Sequence, residues 1–238
     1  MKLYDDIIRN IKSLMTECQV KTLQISDSDW PSVSDHSMIL RSDMAYELGS
    51  GRFPGLGVTL VTDDKSLVED DGVFLCGKDL PELQADTQFA RIAIVRVKPE
   101  SMGEGNALYN AIRKLEYTRY HFYPEGFMMR VSSLQNKESV RVSKEALKKG
   151  LDFSKTGNSM RQAFKKQDVV EAVQIFYVTD SKFPYGALET YARQSETVTK
   201  AIDHILKDVK MDCNVCSLQK VCDEIEGLRE LHFSQETK

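Results

Sequence analysis

The stretch AVQIFYVTD, at positions 172–180, constrains the fold more than any other part of this chain. Its β-branched and aromatic residues make it the strongest single strand, and the turn-forming TDSKFPYG bounds it. GVTLVTD, GVFLCG and RIAIVRVK are further short β-rich runs separated by acidic or polar turns. GFMMRVSS and SVRVS flank the polar LQNKE and predict a hairpin, and KTLQIS alternates as another strand. Among the helices, Leu3, Ile7, Ile8, Ile11, Leu14 and Met15 recur at helical spacing and predict one over 3–17. Leu108, Ile112 and Leu115 predict a second over 105–117. KEALKKG reads as a short helix stopped by Gly150, another covers about 159–166, and Leu188, Ala192, Val198, Ile202 and Ile205 stripe a long helix over 185–207.

Strands and helices mix without a βαβ rhythm, so the expected class is α+β. One mixed, largely antiparallel sheet is expected, built from the runs near 57–62, 72–76, 91–98, 127–132, 139–143 and 171–178. Helices cover it, with two lobes meeting near Pro99 as one arrangement. The expected division is a domain over 1–207 and a short cysteine-containing module over 208–238.

The net charge of −4, with both signs interspersed, gives no footprint for nucleic acid or a membrane surface. Lys148-Lys149 and Lys165-Lys166 read as solvated helix faces. No apolar run approaches the ~18 residues that span a bilayer. MKLYDDIIRNIKSLM has acids among its apolar residues and no small-residue cleavage site, unlike a signal peptide. Five cysteines, three of them clustered, do not form a secreted disulfide framework. The expectation is a cytoplasmic, reduced protein.

The clustered cysteines, Cys213, Cys216 and Cys222, stand as Cys-x2-Cys-x5-Cys. Thiolate is a soft ligand, and two sulfurs of a Cys-x2-Cys turn can bite one metal, with the third reaching it from the next turn. Structural zinc and a cubane iron–sulfur cluster usually take four ligands. His232, Cys76, Asp223, a partner chain or an exogenous molecule could supply the fourth; free cysteines are the alternative. A dithiol redox pair is disfavoured, since no thioredoxin-like βαβ context surrounds Cys213 and Cys216. Cys76 by itself reads as a small buried core residue.

A second candidate is the run from Gly49 to Gly57, which holds four glycines around Arg52 and Pro54. Such a turn can present backbone N–H groups to an anion, because glycine permits positive φ and close approach. It matches neither the P-loop nor the Rossmann fingerprint, and a wide structural turn is the simpler account. The arginines at 91, 96, 113, 119, 130 and 141 lie on or beside expected strands, where they either solvate a sheet or fork onto a CoA-like phosphate. Trp30 reads as an aromatic pinning a polar loop to the core. His36, His121 and His204 are isolated, and no Ser-His-Asp order, HExxH or carboxylate pair can be argued; catalytic residues stay unassigned.

Several stretches together resemble acetyl-CoA synthase, the nickel–iron–sulfur component of the CO dehydrogenase/acetyl-CoA synthase complex. They are YELGSGRFPGLGVTLV, LVEDDGVFLCGKDL, GFMMRVSSLQNKESVRVSKEALKKG, MRQAFKKQDVVEAVQIFYVTD and DCNVCSLQKVC, and the likeness runs from about Ala45 to Cys222. It implies that Cys213 and Cys216, with Cys222 beside them, stand at cluster-ligand positions for a 4Fe-4S centre, incomplete or lost; zinc is the alternative metal. If a CoA-type anion binds anywhere on the chain, a basic face including Arg52 is the candidate contact. CO dehydrogenase and a corrinoid iron–sulfur protein are the implied partners, in the one-carbon metabolism of an anaerobe, with homo-oligomerisation open. In the family the third cysteine comes later, a fourth follows, and a Cys-Gly-Cys holds the nickel pair. Here the third cysteine comes sooner and Lys238 is reached without a Cys-Gly-Cys. The expected function is therefore an iron–sulfur-binding accessory or partial component rather than a complete acetyl-CoA synthase. The rival is a non-catalytic interaction or regulatory domain.

Overall fold

The computed structural model describes residues 2–27, 30–104, 106–132, 136–206 and 221. The class is α+β, as expected, but the strands form two sheets instead of one. In the larger sheet the order is β1 (Val20–Leu23), β4 (Gly72–Cys76), β8 (Val170–Val178), β5 (Phe89–Val97) and β3 (Gly55–Thr62). β1 with β4 and β8 with β5 run antiparallel, whereas β4 with β8 and β5 with β3 run parallel. The smaller sheet is antiparallel throughout, in the order β2 (Met44–Leu48), β7 (Glu138–Ser143), β6 (Phe127–Val131). The hairpin of β6 and β7 forms as its sequence predicts. It cannot join the larger sheet at the centre, because β8 and β5 already have a neighbour on each edge.

The two faces of β3 show how the layers stack. Successive side chains on a strand point to opposite faces. Thr62 donates its hydroxyl to Asp5 at 2.8 Å, at the start of α1 (Asp5–Met15). Gly57, five positions earlier and so on the other face, meets Glu138 of β7. Helix α1 packs with the long α6 (Tyr185–Leu206), and the Tyr4 and Thr199 hydroxyls meet at 3.0 Å. α5 (Phe153–Lys165) shares the side of the smaller sheet: Gly157 closes against Val73 and Tyr177. Phe89, Phe127, Phe153 and Tyr177 join the layers there, with ring centroids 4.5–6.5 Å apart. Each such pair is worth roughly 0.5–1.5 kcal/mol beyond its buried area.

α5 begins six residues earlier than the expected start at 159. The Asp152 side chain accepts from the Lys155 backbone N–H at 2.8 Å and caps the helix. Gly157 and Asn158, in the added first turns, are packing residues; Asn158 donates to the Gln24 carbonyl at 2.8 Å and is wholly buried. Two short helices, α2 (Pro99–Met102) and α4 (Lys144–Lys148), flank α3 (Asn106–Tyr117) and β7 in sequence. Trp30 does pin its loop: its ring nitrogen donates to the Glu125 carbonyl at 2.9 Å.

The expectation of a reduced chain is not met everywhere. Cys18 and Cys76 are joined by a disulfide across a sequence separation of 58, with their Cα atoms 6.1 Å apart. Cys76 is a buried core residue as expected, but its sulfur is not a free thiol. No helix among the described residues is long and apolar enough to cross a membrane.

Candidate functional site

The glycine run folds as a turn feeding a strand, so it is shorter than expected as a loop. Only Gly49–Pro54 is turn; Gly55 already pairs with Phe89 in β3. Gly49 has φ +63°, a left-handed conformation that side-chain-bearing residues rarely adopt. Gly57 is needed for space, since a Cβ there would land on the Glu138 carboxylate. Arg52 is exposed at the tip, its guanidinium 5.1 Å from the centre of the Phe53 ring.

Beside the turn lies a concavity of about 690 Å³ whose charged lining includes Arg52, Arg130, Lys137, Glu138 and Glu189. Arg130 reaches it from β6 and Lys137 from the end of the hairpin connection. Arg130 is half-exposed and 3.9 Å from Glu47, which Arg141 holds more closely at 2.5 Å. That hydrogen bond from Arg141 holds the Glu47 carboxyl below its usual value. A smaller depression of about 260 Å³ shares Lys137 and Glu189 with this concavity and continues past Arg193 to Lys200 on α6. Three exposed cations around a glycine turn can receive phosphates by charge-assisted hydrogen bonds. Sequence reasoning found Arg52 and Arg130 but not Lys137, which sits in the polar LQNKE turn with no pattern around it.

Behind the concavity runs a buried ionic seam. Glu138 is fully buried, and Arg91 forks onto it, Nε to Oε2 at 2.8 Å and Nη2 to Oε1 at 2.5 Å. The expectation that strand arginines merely solvate a sheet fails at Arg91. Its neighbour strands bury it on both sides, so its charge is met by Glu138 of the facing sheet. Glu138 thus belongs to the wall of the concavity but has its charge answered from within.

Cys213, Cys216 and Cys222 lie outside the described residues, as do His232 and Asp223. Cys76 is ruled out as a fourth thiolate in this state, because a disulfide sulfur is not a thiolate. No group of three or more His, Cys, Asp and Glu side chains that could hold a metal is gathered among the described residues. His36 is exposed and lies 3.5 Å from Asp35, with no such company.

No curated protein matches the chain. The model of the CO dehydrogenase/acetyl-CoA synthase complex beta subunit matches residues 32–183. That span is well over half of the chain and carries β2 to β8, with the glycine turn, the concavity's hairpin and the buried Arg91–Glu138 pair. This chain belongs to the family of CO dehydrogenase/acetyl-CoA synthase complex beta subunits.

Proposed function

We propose that this protein is an acetyl-CoA synthase-like component that takes a CoA-type anion in the glycine-turn concavity. The observation that carries this reading is the trio of Arg52, Arg130 and Lys137 around one turn of backbone. CoA carries its phosphates at one end and a flexible pantetheine arm at the other. Arg52 and its two companions receive the phosphates, and the depression toward Lys200 accommodates the arm. In the same reading residues 208–238 form a separate module whose Cys213, Cys216 and Cys222 ligate an iron–sulfur cluster. Three thiolates suit such a cluster chemically, a non-cysteine or partner ligand completing it, and the cluster would supply electron transfer. Cys-x2-Cys-x5-Cys supports an accessory or partial role over a complete synthase. The partners are CO dehydrogenase or a corrinoid iron–sulfur protein, in the cytoplasm.

Titration calorimetry with CoA and with pantetheine separates this reading from its rival. Binding of CoA, with pantetheine at least tenfold weaker, is the expected result. Equal affinity for the two, or no binding of CoA, removes the concavity as a phosphate site. For the cysteine module, anaerobic reconstitution with iron and sulfide should load the wild type. A Cys213→Ser/Cys216→Ser variant that takes up as much iron as the wild type would overturn the ligand assignment.

A further inference from the structure

A second cleft, between α3, the outer edge of β3 and α6, shares only Asn136, Glu196 and Lys200 with the depression described above. Arg113, Glu116, Arg119, Tyr120, Thr199 and Lys200 are the lining residues that matter to its chemistry, and its volume is about 210 Å³. Pockets for drug-sized molecules run from roughly 300 to 1,000 Å³, so an occupant here is small.

The inner wall of this cleft holds one guanidinium, that of Arg119, whose hydrogen bonds are all long. Glu138 is already answered by both prongs of Arg91. Arg119 approaches the same carboxylate only at 3.4 Å, and its other contacts are equally long: 3.3 Å to the Gly57 carbonyl and 3.4 Å to the Tyr120 hydroxyl. Its side chain is 12% exposed, and its Nε is buried with no hydrogen-bond partner among the described residues. Arg113 pairs with Glu116 at 2.5 Å, and Glu116 accepts from the Thr199 hydroxyl at 3.0 Å. Among the charged residues that line the cleft, Arg113 is matched by Glu116 and Lys200 by Glu196, which leaves Arg119 with the weakest contacts. Burial pushes the Glu116 carboxyl above its usual value. At the rim Lys200 and Glu196 meet at 3.1 Å, and Asp203 completes the lining with a contact of its own.

We propose that this cleft binds a small, singly charged oxyanion, with Arg119 as its principal contact and Arg113 and Lys200 beside it. The planar fork of a guanidinium matches the carboxylate of a short acid and the oxygens of inorganic phosphate alike. Arg119 has the donor to spare, and the small volume excludes anything much larger.

The test is calorimetry on the full chain with acetate and with inorganic phosphate as separate titrants. Wild type, Arg119→Gln, Lys200→Gln and Arg52→Ala are compared, each checked for its native circular dichroism. The Lys200 side chain is 67% exposed, so Lys200→Gln keeps the test informative if Arg119→Gln does not fold. At least one of the two ions should bind at a ratio of one to one. Arg119→Gln should weaken it tenfold or more and Lys200→Gln about threefold, while Arg52→Ala leaves it unchanged. The stronger titrant identifies the class of oxyanion. No binding of either ion to wild type overturns the proposal. So does affinity unchanged in every folded variant of Arg119 and Lys200, or a loss in Arg52→Ala as large as in those variants.

Discussion

The glycine-turn concavity and the Arg119 cleft both gather cations along β3, but they hold them differently. Around the turn, Arg52 and Lys137 are exposed and Arg130 is half-exposed, so their charges are hydrated and easily moved. In the cleft, Arg119 is mostly buried and reaches Glu138, which is wholly buried with its partner Arg91. Exposed cations cost little to keep and contribute little to stability. A buried charge must be answered, or it destabilises the fold by several kcal/mol (order of magnitude). The first arrangement suits a ligand that comes and goes; the second ties a binding wall to the joint between the two sheets.

The sharpest way to break this contrast is to unpair the seam. Arg91→Met should destabilise the protein by about 3–5 kcal/mol, because Glu138 is left charged and buried. Arg91→Met with Glu138→Leu should recover part of that loss. Denaturant melts measure both, and a loss below about 1 kcal/mol in the single variant would mean the seam is not structural.

Gly57→Ala should cost about 1–3 kcal/mol, since the added methyl group displaces the Glu138 carboxylate from its position. A neutral result by the same melts would show that the seam can shift freely.

Acid titration of stability should then separate two glutamates by sign. Glu116 has a raised carboxyl pKa, mainly through burial. Its protonated form is favoured in the fold, so its contribution falls as pH rises through the ordinary carboxylate value toward the raised one. Glu47 is lowered, mainly by the hydrogen bond from Arg141. Its contribution is present above the ordinary value and lost as pH falls through the lowered one. Relative to wild type, Glu116→Gln should therefore be better tolerated at pH 7 than at pH 4, and Glu47→Gln worse. The same trend in both variants would break the distinction. The smallest effect belongs to Arg52→Ala, which should change stability by less than about 0.5 kcal/mol.

Much of the fold was legible in the sequence because periodicity reports local structure. AVQIFYVTD became β8, and the Leu188 to Ile202 stripe became α6. What periodicity does not carry is partnership. It could not say that the β6–β7 hairpin would pair with β2 in a second sheet, nor that Arg91 would find Glu138 47 residues away. The Cys18–Cys76 bond was hidden for the same reason. At the candidate site Arg52 was legible from its glycines, whereas Lys137 and Arg119 acquire meaning only once the hairpin and α3 are placed beside β3. The early start of α5 shows a local signal that was passed over, the Asp152 cap, in a segment that packing then holds through Gly157 and Asn158.

The central claim is that a CoA-type anion is held by the exposed cations of the glycine turn. Titrating CoA into wild type and Arg52→Ala at low and at physiological salt tests it most directly. Wild-type binding should weaken as salt rises, and Arg52→Ala should bind several-fold more weakly at low salt, with the gap narrowing at the higher ionic strength. Equal affinity of the two proteins at low salt, or wild-type binding indifferent to salt, would contradict the account.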